Sequence, residues 1–388
     1  MVKIGKNLDV TINYNIQNNF MTLQFRFAIA SDLHIGLPHT VLTTKRRFHL
    51  IEASTAAFDA TLNHLQSLEL DFLLLPGDLT QHGEPDNHAW LQQRLSSVPF
   101  PVYVVPGNHD IPTVTATEKT IAFADFPHYY QKFGYENPQK HDYTREIIPG
   151  VQLIALNSNE FTPEGEQFGY LNEAQLAWLE EILASNTDKL ILLMLHHNVI
   201  EHLPNQSNHP LGKRYMLSNS AALLAILRKY GVKLIFTGHL HVQDIAQNGE
   251  IYEITTGSLV SYPHPYRVLE LHRNQTGEIQ LKITSHRLKS IPGWENLSEV
   301  SRERLGETSA PFMMKLLTEA PLNLPVPEAE KLAPKLRYFW ADIAAGDALL
   351  DFADFPPAAK QYFENFSAIA QDGTYQPIDN HTVLALNS

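Results

Sequence analysis

A chain of 388 residues has room for one large domain with an appendage, or for two domains. Its 29 Lys and Arg against 42 Asp and Glu leave a formal charge of −13, which argues against a surface built to displace the counterions of nucleic acid. The absence of cysteine excludes a disulfide framework and means that any metal is held by ligands harder than thiolate.

Met1–Phe20 is polar and rich in Asn, with no signal-peptide core; residues 1–20 read as a disordered N-terminal extension or an over-long start. No apolar stretch approaches the roughly 20 residues of a membrane span, and the cytoplasm is the default compartment. From Phe25 onward apolar runs alternate with helical spacing. Phe25–Ala30 predicts a strand, and Phe48–Leu68 predicts a helix on Phe48, Ile51, Ala56, Phe58, Leu62 and Leu65, with Lys45-Arg46-Arg47 as its solvated start. Phe72–Leu75 and Val102–Val105 predict strands around a helix at Asn87–Leu95. Gln152–Leu156 reads as a strand, and Asn172–Ala184 as a helix with Asn172 at its N-cap and Leu176, Leu179 and Leu183 on one face. Ile191–Leu195, Leu234–Phe236 and Tyr252–Thr255 complete the strands, with a helix at Ser218–Lys229. This alternation predicts an open or sandwiched α/β core whose site lies beyond the carboxyl ends of strands. Residues 21–286 form that domain. Residues 287–388 turn to helical patterns, Ser298–Leu305, Phe312–Glu319, Glu328–Ala345 and Ala358–Ile369, broken by prolines, and predict a helical C-terminal extension packed on the core or on a second subunit.

Five polar clusters each follow an apolar run: Asp32 and His34 in S-D-L-H, Asp78 in P-G-D, Asn108, His109 and Asp110 in G-N-H-D, His196 in M-L-H-H-N, and His239 and His241 in G-H-L-H. Oxygen and imidazole donors suit hard divalent ions. A site for two ions needs a ligand that bridges both, and a carboxylate does this best; Asp78, alone after Pro-Gly at a strand end, is the candidate. Asp32 and His34, two apart, can face one ion where the chain turns, and His239 and His241 repeat that spacing with Gly238 giving the backbone room. Asn108 offers a carbonyl oxygen and an amide able to touch a phosphate. A lone D-x-H or H-x-H arises often by chance, whereas five clusters in order behind five strands do not. His197 would point away from His196 in an extended backbone, toward substrate or a structural partner. His82, His88, His202, His209 and His264 read as surface or packing histidines.

These motifs resemble the pattern of the calcineurin-like metallophosphoesterase superfamily, D-x-H, G-D, G-N-H-D/E, H and G-H-x-H, from Phe25 to about Leu271. The resemblance implies a four-layer α/β-β/α sandwich with a binuclear metal centre at its edge. It implies that Asp32, His34, Asp78 and His241 hold one ion, that Asp78, Asn108, His196 and His239 hold the other, and that His109 acts on the leaving group. Two such ions, on the order of 3.5–4 Å apart, hold a bridging water that supplies hydroxide at neutral pH. His109 as imidazolium would protonate the leaving alkoxide, with Asp110 as the carboxylate that orients it. The stretch G-D-L-T-Q-H-G-E-P-D is similar to the class III cyclic-nucleotide phosphodiesterase branch, which has H-H-P-P where this chain has His196-His197-Asn198-Val199. The S-D-L-H-I-G opening is similar to the DNA-repair nuclease branch, without that branch's second motif or a basic surface. The expected activity is hydrolysis of cyclic nucleotides or other small phosphodiesters, with a phosphomonoesterase on the same site as the alternative. A metal-free scaffold would have lost ligands, and none is lost. Two divalent ions are expected as cofactors, with Mn, Fe and Zn all suiting the donors. Nucleic acid and membranes are not expected partners. The pocket is expected from Ile111–Thr120, Ile200–Tyr215 and Ser258–Arg267, with the C-terminal helices forming a homodimer contact or capping the site.

Overall fold

The computed structural model describes residues 22–41, 47–370 and 372–386. The extension expected at 1–20 and the cations Lys45 and Arg46 fall outside them. The strands run, in chain order, β1 (Leu23–Ile29), β2 (Phe72–Pro76), β3 (Val102–Val105), β4 (Tyr143–Ile148), β5 (Val151–Ala155), β6 (Asn159–Phe161), β7 (Gln167–Gly169), β8 (Leu190–Met194), β9 (Leu234–Thr237), β10 (Asp244–Asn248), β11 (Ile251–Thr255), β12 (Pro265–Arg273), β13 (Ile279–Arg287) and β14 (His381–Leu386). One sheet has the order β14-β13-β12-β1-β2-β3 and the other β10-β11-β9-β8-β5-β4.

Strand periodicity explains how the sheets stack. In β5, β8 and β9 both faces are apolar, as strands buried on two sides require. Val151, Leu153, Leu192, Met194 and Phe236 join the core shared with the first sheet, where Phe27 and Phe236 meet edge-on at 5.6 Å. Their neighbours Ile154, Ile191, Leu193 and Ile235 point the other way, onto Leu179, Leu183, Leu223 and Leu227 of the helices Glu173–Ala184 and Ser220–Lys229. The parallel pairs β1/β2 and β2/β3 are joined by the crossover helices Ser54–Gln66 and Pro85–Leu95, whose Phe58, Leu62 and Leu91 close the first sheet. The result is the expected four-layer α/β-β/α sandwich. Asn172 caps its helix as expected, accepting the Gln175 amide at 3.0 Å while Gln175 Oε1 accepts the Asn172 N–H at 2.9 Å.

The C-terminal region departs from expectation in three places. One helix, Leu297–Thr318, replaces the two expected at Ser298–Leu305 and Phe312–Glu319, with Pro311 inside it. Buried Leu305, Ser309, Met313, Leu316 and Leu317 continue one face across the proline, and this packing outweighs a penalty of about 3 kcal/mol. The helix expected over Glu328–Ala345 is instead Val326–Leu332, a 3₁₀ turn at Ala333–Leu336 that contains Pro334, and Phe339–Ala345. The chain then returns as β14, antiparallel to β13 from Ile279↔Leu386 to Thr284↔His381. A third core cluster holds these helices down: Met313, Leu317, Leu336, Phe339 and Phe363 pack with Leu240 and Val242. Among the described residues no helix is long and apolar enough to cross a membrane.

Candidate metal centre

The loops after β1, β2, β3, β8 and β9 deliver the sequence-selected residues to one point. The first two loops lie side by side, with Asp32 N–H donating to Gly77 O at 3.1 Å and His34 N–H to Asp78 O at 2.9 Å. Asp32, His34, Asp78, His239 and His241 have φ of 51°, 43°, 51°, 68° and 59°, and they are five of the nine non-glycine residues at positive φ among the described residues. Each lies in a region that costs an L-residue about 1–2 kcal/mol and swings its side chain away from the strand direction. Gly77 has φ of 96°, and a Cβ there would strike the His196 ring; a Cβ on Gly238 would strike Ser31 and Asp32.

Two donor groups result. Asp32, His34, Asp78 and His241 place donor atoms within 4.8 Å of one another, and so do Asp78, His196 and His239. Asp78 belongs to both. His241 Nε2 lies 3.2 Å from Asp32 Oδ1 and 3.2 Å from His34 Nε2. His196 Nε2 lies 3.5 Å from Asp78 Oδ2 and 3.2 Å from Asn108 Oδ1. His196 Nδ1 donates to Pro76 O at 2.8 Å, which fixes the ring and turns Nε2 toward the cluster. Asp32 is locked by Ser31 Oγ at 2.6 Å and by the His239 N–H at 3.1 Å.

The electrostatics call for positive charge. Asp32 and Asp78 are buried, and among the described residues their ion-pair partners are histidines, with no Lys or Arg. Burial, followed by the neighbouring His49 and His109, holds His34 well below the usual imidazole range, so its 3.7 Å approach to Asp78 is a contact of a neutral ring. Burial and the adjacent imidazoles likewise depress His239. Burial would depress His196 too, but Asp78 overrides it and lifts that ring to about 9. Two buried carboxylates with no Lys or Arg beside them, among imidazoles of which His34 and His239 are held neutral, are oxygen and nitrogen donors that fit divalent cations, which would also displace the proton Asp78 holds on His196.

His109 N–H donates to Asp78 Oδ1 at 2.8 Å, and its Nδ1 donates to the Gln81 carbonyl at 2.6 Å, leaving Nε2 for the cavity. Asp110 corrects the sequence expectation: it does not orient this ring. Its carboxylate accepts the N–H groups of Leu79 (3.0 Å), Thr80 (2.7 Å) and Gly107 (2.9 Å) and the Thr80 hydroxyl (3.0 Å). Burial, then Asp78, pushes Asp110 up to about 7 against those donors. Asp110 braces the loops that carry Asp78 and Asn108.

Residues 25–243, more than half the chain, match the family described as calcineurin-like phosphoesterase. The chain belongs to that family. As a calcineurin-like phosphoesterase it is a metal-dependent phosphoric ester hydrolase. It is similar to a 3′,5′-cyclic-nucleotide phosphodiesterase of Nostoc, at 27% identity over 57% of this chain and 74% of that one. It is similar to the 3′,5′-cyclic adenosine monophosphate phosphodiesterase CpdA of Escherichia coli, at 27% over 61% and 81%. A probable glycerophosphodiester phosphodiesterase GpdQ of Arcobacter nitrofigilis matches at 25% over 63% and 82%.

Within this phosphoesterase the departure at the fourth motif has a physical counterpart. Prolines have no N–H, whereas here Asn198 N donates to Tyr215 O at 3.0 Å and Val199 N to Glu253 Oε2 at 2.9 Å. Glu253, fully buried, also accepts the Ile200 N–H at 2.6 Å and lies 3.2 Å from His202 Nε2. His202 is thus neither a surface nor a simple packing residue: it joins Glu253 and Asp244 (2.6 Å) in a buried charged cluster behind the His196 loop. His197 is held by Ser158 Oγ at 2.9 Å, and burial drives it down to about 3. His88 and His264 are buried packing residues, bonded to Tyr130 and to Leu259 O. His82 stacks on His109 at 5.6 Å, and His209 lines the cavity over the centre.

Sequence inspection missed His49. It stacks on His34 at 4.6 Å and forms a further donor group with His34 and His241, yet no strand precedes it and no motif contains it. The cavity matches expectation in part: its lining includes residues from 203–215 and 261–262 and a whole wall from the C-terminal helices, one of the two roles expected of them, but among the described lining residues none from Ile111–Thr120.

Proposed function

We propose that this protein is a phosphodiesterase that uses two divalent cations, with Mn, Fe and Zn all compatible, to hydrolyse small phosphodiesters, cyclic nucleotides among them. One observation carries this: Asp78 is common to two donor groups, as a bridging ligand must be. Asp32, His34, Asp78 and His241 would hold one cation, and Asp78, Asn108, His196 and His239 the other. Bound there, the pair supplies an activated water and offsets charge on the phosphoryl oxygens.

The protein's own groups do the remaining work. Pro76 O and the His239 N–H hold His196 and Asp32 in one orientation, so the donors need little rearrangement. The Gln81 carbonyl keeps a proton on His109 Nδ1 in both charge states of the ring. Nε2 is thereby the nitrogen left to face the substrate, from which a proton would pass to the departing ester oxygen. The diester preference is supported by the diesterase names of the relatives above.

Hydrolysis of bis-p-nitrophenyl phosphate, cyclic AMP and p-nitrophenyl phosphate by Mn²⁺-loaded and chelated protein tests this. Chelator-sensitive cleavage favouring diesters is expected. Preference for the monoester makes the protein a phosphatase, and cleavage untouched by the chelator removes the metal from the mechanism.

A further inference from the structure

The cavity over the donor groups measures about 590 Å³, a size that holds a drug-sized ligand. Its two ends differ sharply in chemistry. The floor is Asp78, Asn108, His109, His239 and His241. Beside it Arg214 lies 4.7 Å over the Tyr215 ring, which in turn sits 5.0 Å from His239; among the described lining residues Arg214 is the only Lys or Arg. The far wall is mainly Leu305, Phe312, Leu316, Phe339, Trp340 and Phe366, all from the C-terminal region, with the Tyr362 hydroxyl as a polar group among them. Phe312 and Trp340 meet edge-on at 5.7 Å, and Phe339 and Phe366 at 5.3 Å, so the rings support one another instead of folding into the space. Ser309 also lines this wall, but its hydroxyl is already bonded to Gly306 O at 3.2 Å.

Resting on the phosphodiesterase assignment above and narrowing it away from cyclic nucleotides, we propose that the preferred substrate is a phosphate ester carrying a large apolar alkyl or aryl substituent, with the phosphoryl group on the metal-side floor and the substituent under the C-terminal wall. A ribose or a base edge carries more polar groups than the Tyr362 hydroxyl and the Trp340 N–H there can pair, and each one left buried and unpaired weakens binding by roughly five- to a hundredfold. An alkyl or aryl group gains about fourfold per methylene equivalent it buries. Charge is arranged to match: Arg214 flanks the phosphate end, and none of the described wall residues is charged.

The test is titration calorimetry of the Mn²⁺-loaded full chain with methyl-, butyl- and octylphosphonate, read in parallel by tryptophan fluorescence. Affinity is expected to rise about two- to fourfold per methylene, so that octylphosphonate binds at least roughly a hundredfold more tightly than methylphosphonate. Phe312→Ala and Trp340→Ala, at partly exposed positions, should each cut the octyl-to-methyl ratio by about tenfold. Equal affinities for the three probes overturn the proposal. So does a chain-length gain that survives both substitutions in folded protein, since the chain would then bind elsewhere. Should both variants fail to fold, competition decides: methylphosphonate must displace octylphosphonate, and failure to do so overturns the proposal. Hydrolysis of p-nitrophenyl methyl and octyl phosphates separates the two claims. Cleavage without chain-length preference rejects the apolar substituent and keeps the diesterase; phosphonate binding that lengthens with the chain, without cleavage of any ester, does the reverse.

Discussion

The floor and the far wall of the cavity are built by opposite means. At the metal centre under the floor, five donors, Asp32, His34, Asp78, His239 and His241, stand at positive φ, and hydrogen bonds between neighbouring loops fix Asp32, His34 and His239. The wall is carried by helices with ordinary backbone and is held by packing of Met313, Leu317, Phe339 and Phe363 on Leu240 and Val242. Strained backbone persists only where its surroundings over-determine it, so the floor is rigid at the scale chemistry requires. An apolar wall needs volume and shape, which several side-chain sets can supply. The G-H-L-H-V stretch joins the two: His239 and His241 face the donors, while Leu240 and Val242 face the helices.

The comparison is broken most directly at Asp78. Asp78→Ala should lose at least one cation per chain by elemental analysis and lower turnover by roughly 10³-fold or more, because metal-borne charge stabilisation is worth several kcal/mol. Unchanged stoichiometry would remove Asp78 as the shared ligand. His109→Ala should keep the metal content and cut turnover by about 10²–10⁴-fold. Metal loss on that change would move His109 into the coordination set.

A change in the wall tests whether packing alone holds it. Phe363 is fully buried in the C-terminal cluster, and Phe363→Ala should cost about 3–5 kcal/mol. Calorimetry is expected to give a single transition shifted to lower temperature, since Leu240 and Val242 bind wall to floor. Two transitions would make them separate units.

The smallest effect is a pH dependence. Burial would lower His202, but Glu253 and Asp244 lift it to about 10. A raised imidazole contributes stability that is complete below its unfolded value of about 6.5 and fades as pH climbs to about 10. The unfolding free energy of the wild type should therefore fall between about pH 7 and pH 10 more steeply than that of His202→Gln. Parallel curves would show that the Glu253 cluster does not depend on this proton.

What was legible in the sequence follows the same division. Asp32, His34, Asp78, Asn108, His196, His239 and His241 were visible because each polar group directly follows a buried strand, and strands run to a common edge. Asp110 was misjudged because adjacency to His109 says nothing of direction once the chain turns; its carboxylate goes back to Gly107, Leu79 and Thr80. His49 carried no signal: it fell inside the helix expected from Phe48, outside every motif, whereas the helical turns begin only at Ile51. That the C-terminal helices cap the site was one of two expected roles, but which residues face it was hidden, because Leu305, Phe312 and Leu316 at helical spacing look like any core-facing stripe. β14 was hidden because only Leu384 and Leu386 of its six residues are buried, too short an alternation to stand out.

The return of the chain as β14 makes residues 288–380 the loop of a β-hairpin. Adjacent strands lie about 4.8 Å apart, so the ends of this loop are nearly joined already. The entropy of closing a loop changes slowly with its length, so the length of the insert is little constrained as long as it still covers Leu240 and Val242. A short turn would keep the strands paired but uncover Leu240 and Val242 beside the donors. A different insert between the same two strands would give the same chemistry a different clientele.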